Sequence, residues 1–306
     1  MPLDRPLLGI SLMLGFCILA PLGDSLAKLL GATVPLLMLI TLRFAAQALI
    51  LVPVARVAGQ GLALPRRALG LNLLRTLLHI AGIAMMFTAL RHLPLADAVA
   101  IAFVMPFLML LLGKYVLGEQ VGPRRLIACA VGFAGTMLVI RPAFADVGWV
   151  ALWPLGVAVN FALFMLVGRS LSRQAAPIAL QATGGLMACA LLLPLLAAGW
   201  AFDLPALAPI RPTAQDMGLM ALMGAVGTLA HLLMTWSLRY APSATLAPMQ
   251  YLEIPFATAF GWLIFNEWPD GLAALGIAIT VAAGLYIILR ERATARAPRA
   301  PAPPAA

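Results

Sequence analysis

Five polar side chains sit where their surroundings are almost entirely apolar: Arg43, Arg75, His79, Asn160 and Glu253. An ionisable group at bilayer depth costs about 2.5–3.5 kcal/mol on insertion scales, so each needs a partner or a task. Arg43 offers paired N–H donors that grip a carboxylate; alternatively it pairs with a buried acid or with carbonyls. Arg75 is expected to face a cavity, since its helical stripe is polar. His79 exchanges a proton near neutral pH, or bonds a neighbouring helix. Glu253 suits an ammonium group or a coupling proton, or forms a salt bridge to Arg43 or Arg75. Counting two arginines against one glutamate leaves this layer one unit positive, which fits cargo bearing a carboxylate or a zwitterion.

Spacing puts further residues beside these. Asn72, Arg75, His79, Gly82 and Met86 follow steps of three and four and share a helical stripe. Gln250 and Glu253 share a second, and Trp153, Asn160 and Phe164 a third. The expected binding set is therefore Arg43, Asn72, Arg75, His79, Met86, Trp153, Asn160, Phe164, Gln250 and Glu253. Aromatic and Met walls with a few fixed polar groups are the usual make-up of a small-molecule site. Asp24 and Lys28, four apart, read as a local pair at the membrane interface. Asp97 suits the N-terminal dipole of its helix, and His231 reads as a capping or packing residue near the inner end of its span.

The elements that hold these groups are apolar runs. Hydrophobic residues make up 63% of the 306 and charged residues 10%, so a polytopic membrane protein is expected. A hydrocarbon core of roughly 30 Å takes about 20 residues of helix, and lipid forbids unpaired backbone. Ten such runs are expected, near Leu7–Leu29, Val34–Val54, Ala68–Leu90, Leu95–Val116, Leu126–Ile140, Gly148–Leu171, Pro177–Trp200, Ala214–Leu238, Ser243–Phe265 and Gly271–Leu289. From about 1.5 Å of rise per residue, the five polar groups fall roughly 11–18 Å inside their spans, near the midplane.

The formal charge of +9 invites a nucleic-acid reading. Its placement argues against one. With the N-terminus inside, fourteen of the twenty Lys and Arg fall on the cytoplasmic side, four outside and two within spans. That is a positive-inside bias, and it sets both termini in the cytoplasm of a bacterial-type inner membrane. The three cysteines fall in spans without metal or disulfide spacing. No phosphate-cradling loop, metal cluster or cofactor motif is present, so no cofactor is expected and the chain does not read as an enzyme.

The chain is written twice. Ala89-Leu-Arg-His-Leu-Pro94 matches Ser237-Leu-Arg-Tyr-Ala-Pro242, Pro106-Phe107 matches Pro255-Phe256, and Glu119 matches Glu267. The offset is about 148 residues throughout. Five spans per copy is an odd number, so the second copy enters from the opposite face. The expected fold is an all-α membrane protein, ten transmembrane helices as two inverted five-helix repeats, over residues 1–142 and 147–290, with a disordered cytoplasmic tail at 291–306. Inverted repeats permit two-sided access to a midplane site. Pro106 and Pro255, at equivalent places, each remove a helix bond and read as hinges or as static bends.

Ala89-Leu-Arg-His-Leu-Pro-Leu-Ala-Asp-Ala, then Pro106, Gly118-Glu119 and a helix containing Gly132 and Gly135 resemble the EamA-type drug/metabolite transporter superfamily. So does the Arg43-Phe44 pair. Asn266-Glu267 departs from the Gly-Glu usual in that family. The resemblance spans about residues 7–290 and implies a secondary transporter of small amphipathic metabolites, most of all amino acids, acting in export. The expected partners are one small-molecule substrate and the lipid bilayer, with the protein a monomer or weak homodimer. Alternatives are an uptake or exchange carrier for a cationic metabolite such as S-adenosylmethionine, or an intramembrane lipid-handling enzyme.

Overall fold

A computed structural model describes residues 5–116, 118, 122–172, 174–202, 204, 207 and 209–296. Every regular element among them is helical. In order these are α1 (Pro6–Leu30), α2 (Leu36–Val57), α3 (Arg66–Leu90), α4 (Leu95–Ala102), α5 (Met105–Val116) and α6 (Pro123–Val147). There follow α7 (Trp153–Ser172), α8 (Pro177–Ala201), α9 (Ala214–Tyr240), the single turn α10 (Ser243–Leu246), α11 (Glu253–Phe265) and α12 (Gly271–Arg296). Short 3-10 turns precede α7 and α11.

Local chemistry sets the ends. Proline opens α1, α6 and α8, where its missing N–H would be unpaired anyway. Thr213 and Asp216 bond each other's backbone N–H as a capping box for α9. Seven segments are long and apolar enough to cross a membrane: α1, α2, α3, the α4–α5 stretch, α8, α9, and Phe144–Ser172, which includes α7. Two shorter apolar helices lie in α6 and α12.

Two expected spans are broken rather than continuous. The fourth stops at Ala102 and restarts at Met105, one residue before Pro106. The ninth is α10, then a 3-10 turn over Ala247–Leu252, then α11, whose third residue is Pro255. A proline has no N–H to give the preceding turn but is tolerated in a helix's first turn. Each break therefore falls just upstream of the matched proline. α12 also runs on to Arg296, past the boundary expected at residue 290, because Glu, Arg and Ala favour helix. The rest of the expected tail, and Glu119, lie outside the described residues.

The main packing pairs are α1 with α9, α3 with α7, α2 with α8, and α6 with α12. α1 also meets α11, and α5 meets α7. The α6–α12 pair is close at backbone level. A Cβ added to Gly135 would stand 2.7 Å from the Gly276 carbonyl oxygen and 2.5 Å from Thr280 Oγ1. Small residues at such crossings are how membrane helices gain packing contact.

A left-handed residue stands just before the glutamate position in each copy: Gly118 at φ 65° and Asn266 at φ 56°. Only glycine adopts this freely, with asparagine the usual substitute. The departure from Gly-Glu to Asn-Glu thus keeps the backbone conformation while changing the side chain.

Candidate functional site

A cavity with about 900 Å³ of atom-free space, its mouth included, opens among α1, α2, α3, α4, the start of α5, α7, α9 and α11. Of the ten residues expected from sequence, Arg43, His79, Met86, Asn160, Phe164 and Glu253 line it. Arg75 lies directly behind. Its Cζ is 4.4 Å from the centre of the Phe164 ring, and its Nη2 donates to Thr235 Oγ1 at 3.2 Å.

Three expected residues stand elsewhere. Asn72 is buried between helices, donating from Nδ2 to Thr183 Oγ1 (2.9 Å) and the Leu180 carbonyl (3.3 Å). It shares the Arg75–His79 stripe but one turn lower, where α8 rather than the cavity faces α3. Gln250 is fully buried in the 3-10 turn before α11. It stands one 3-10 turn before Glu253 on the same face, below the level at which that face lines the cavity. Trp153 is 45% exposed at the first residue of α7, too far along the helix from Asn160 to reach inward.

The cavity wall carries a continuous band of rings. Phe16 stacks with Phe161 at 6.1 Å between centroids, and Phe161 meets Phe164 at 5.4 Å. Phe164 meets His79 at 4.8 Å, and His79 meets His231 at 4.2 Å. Phe44 packs edge-on against His79 at 4.9 Å. Beside the band, Asn160 Nδ2 donates to the Leu78 carbonyl at 2.6 Å, tying α7 to α3.

Behind the band runs a polar network. Arg43 Nη1 donates to Gln47 Oε1 (3.3 Å) and Nη2 to His231 Nδ1 (3.1 Å). Gln47 Nε2 donates to the Gln181 carbonyl (2.8 Å) and to its Oε1 (3.1 Å). Gln181 Nε2 donates to the His231 carbonyl (2.8 Å) and Thr235 Oγ1 (2.7 Å). Elements from both halves are thereby bonded together. His231 Nδ1 also lies 3.0 Å from the Gly227 carbonyl. A guanidinium only donates, so a bond to Arg43 requires Nδ1 unprotonated and a bond to Gly227 requires it protonated. The two contacts compete for one ring nitrogen.

Two residues given other roles by the sequence reading belong to this cavity. His231 lines it, rather than capping a helix, because Met223, Gly227 and His231 form an i, i+4, i+8 stripe facing inward. Asp24 lines it too, on the stripe of Phe16 and Ala20. Lys28 is not its partner: Lys28 Nζ donates to Glu267 Oε1 at 2.5 Å and to the Leu93 carbonyl at 3.0 Å. Glu267 Oε2 in turn accepts the Leu95 N–H at 3.0 Å. The reversal at Asn266 turns Glu267 toward both groups. The spacing of these stripes was available in sequence; the tertiary partner that drew Lys28 away was not. Asp97 does stand in the first turn of its helix, as expected.

The charge balance changes accordingly. Arg43 and Arg75 meet two acids, Asp24 and Glu253, so the layer is neutral rather than one unit positive. No acid among the described residues lies within salt-bridge distance of either arginine.

Apolar helices long enough to cross a bilayer, gathered around a cavity whose polar groups turn inward, define a membrane transport protein. The comparisons with known proteins make this specific. Residues 7–141 and 148–290 each match the EamA-like transporter family, and the chain belongs to that family. It is a transporter rather than an enzyme. It is 30% identical over 232 residues to a riboflavin transporter of Rhizobium johnstonii, spanning 74% of this chain and 72% of that one. It is 24% identical to an S-adenosylmethionine uptake transporter of Rickettsia bellii over 88% and 89% of the two chains. It is 26% identical to the pseudopaline exporter CntI of Pseudomonas aeruginosa over 87% and 88%. One solved crystal structure aligns with a TM-score of 0.69 at 21% identity, covering 94% of this chain and 97% of that one, which is a likeness of fold.

Proposed function

We propose that the chain is a secondary transporter whose cavity holds a small metabolite combining a flat ring with polar groups. The observation that carries this reading is the ring band from Phe16 through Phe161, Phe164 and His79 to His231. Stacked and tilted rings favour planar partners, each pair adding about 0.5–1.5 kcal/mol beyond buried area. Riboflavin and S-adenosylmethionine, named for two relatives, both combine a planar heterocycle with a polar chain. The amino-acid reading keeps support only for aromatic members. It relied on two arginines free to hold a carboxylate, and both are engaged within the protein. Direction does not follow from kinship, since relatives are named for uptake and for export.

The mechanism in this reading is alternation of two inverted five-helix halves, divided near residues 142–147, around the cavity. The helix pairings support it. Exchanging the first five spans for the second five turns α1–α9 into α7–α3 and α1–α11 into α7–α5, and leaves α2–α8 and α6–α12 unchanged. This requires ten passes, with the broken α4–α5 and α10–α11 stretches each crossing once. Pro106 and Pro255 would be the hinges, and the excess of inner Lys and Arg supports both termini in the cytoplasm of an inner membrane.

The test is flux in liposomes holding the full chain. Riboflavin, followed by its own fluorescence, is expected to equilibrate faster than in empty vesicles and to saturate. Tryptophan is expected to compete and alanine not to. Equal competition by alanine and tryptophan would remove the ring band as the basis of selection.

A further inference from the structure

Four charged side chains meet at this cavity, and their partners are unevenly shared. Arg43 is bonded to Gln47 and His231, and Arg75 to Thr235 with Phe164 across its face. The two acids have no such partners. Among the described residues, neither Asp24 nor Glu253 has a hydrogen bond or ion pair, although both line the cavity. Glu253 is 8% exposed and Asp24 half-buried. They are held in place by different helices, α1 and α11, which pack against each other. His79, 5% exposed on the same cavity, also has a ring nitrogen, Nε2, without a partner.

Arg43 acts on Asp24 only from beyond ion-pair distance, and a buried charge without a bonded counter-charge costs several kcal/mol. Two on facing helices also repel, and that cost persists only if some state of the working cycle relieves it. A proton taken up by one acid gives that relief, and so does a positive group between them. The cavity that both acids line also carries aromatic rings, and ring faces attract organic cations as well as stacking on planes. A bare metal ion would instead seek a shell of oxygen ligands, which these walls do not offer.

We infer that Asp24 and Glu253 form a cation-binding pole of the cavity, taking the sulfonium or ammonium group of a cargo whose flat ring lies on the aromatic band. This rests on the transport reading above and orders its substrates: among molecules with a flat ring, organic cations and zwitterions are held more tightly than neutral ones such as riboflavin. Asp24 is the residue that adds to the sequence reading, where Glu253 alone was assigned to an amine.

S-adenosylmethionine and S-adenosylhomocysteine separate the two levels of the claim. They share ring, ribose and amino acid and differ by one methyl group and its sulfonium charge. The full-length protein in nanodiscs is titrated with each. The charged ligand is expected to bind at least about tenfold tighter than the neutral one. Asp24→Asn and Glu253→Gln, made separately, are each expected to bring that ratio close to one. A ratio does not depend on the fraction of folded protein, so a damaged preparation cannot imitate the result. A wild-type ratio near one, or a ratio that either variant leaves intact, overturns the cation pole while ring binding stands. No binding of either compound or of riboflavin overturns the transport reading and the pole together. Sodium chloride alone raising the melting point, lost in Glu253→Gln and absent with potassium, would assign the acids to an inorganic ion and overturn the organic cation.

Discussion

Replacing Gln181 with leucine isolates the polar network that joins α2, α8 and α9. The side chain is fully buried and makes three hydrogen bonds: to the His231 carbonyl, to Thr235 Oγ1 and from Gln47 Nε2. Interhelical hydrogen bonds in membranes average about 0.6 kcal/mol and reach about 1.7, so three are worth roughly 2 and at most about 5 kcal/mol. The structure decides between these values. Gln47 Nε2 retains the Gln181 backbone carbonyl, the His231 carbonyl retains Thr235 Oγ1, and Thr235 retains Arg75. No partner is stranded, so the large penalty for an orphaned buried group does not arise. A loss near the lower figure, about 2 kcal/mol, is expected. Gln174→Leu is the matched control: that side chain, in the turn after α7, is exposed and donates to the Ser170 carbonyl four residues before it, and its loss should change stability by less than about 0.5 kcal/mol. The assay is reversible unfolding in mixed micelles, titrating dodecyl sulfate. If Gln181→Leu costs no more than Gln174→Leu, the network contributes nothing and the reasoning from it is wrong.

Gly135→Leu should force α6 and α12 apart against the Gly276 backbone, costing about 1–3 kcal/mol or more in the same titration. Lys28→Met removes an ion pair whose side chains are 14% and 29% exposed; because Glu267 still accepts the Leu95 N–H, stability should fall by no more than about 1 kcal/mol. Phe164→Ala interrupts the ring band, so the Kd for riboflavin should rise by roughly two- to twelvefold, the equivalent of about 0.5–1.5 kcal/mol. Gly82→Phe, which places a ring in the cavity against Asn160, should abolish flux; because the new Cβ displaces Asn160 Nδ2 from the Leu78 carbonyl, stability should fall as well, by about 1–3 kcal/mol.

What could be read from sequence was governed by how local its cause is. Apolar runs of about 20 residues announce helices because the bilayer sets the length, and the polar stripe Arg75–His79–Gly82–Met86 follows from helical pitch alone. Asn72 lies on the same stripe yet faces α8, because a stripe gives direction and not the neighbour met at each height. Lys28 was assigned to Asp24 by spacing. Its partner Glu267 lies 239 positions away in sequence, and only the fold makes them adjacent. Once Lys28 is withdrawn, Asp24 turns from a surface pair into a cavity acid, and the charge count that favoured a carboxylate cargo fails. His231 was placed near the end of its helix when its contacts are with Arg43 and His79 at mid-depth. The breaks before Pro106 and Pro255 were half visible: the prolines marked where a bond is missing, not that the helix stops and restarts.

The left-handed turns at Gly118 and Asn266 put a limit on how far the two copies can drift apart. Chemistry at that spot is negotiable, since Asn266 carries an amide where Gly118 has a bare hydrogen and both take the same turn. Handedness is not negotiable. A branched residue at either position would have to cross into a region its own carbon skeleton forbids, so evolution can rewrite what this corner says but not which way it bends.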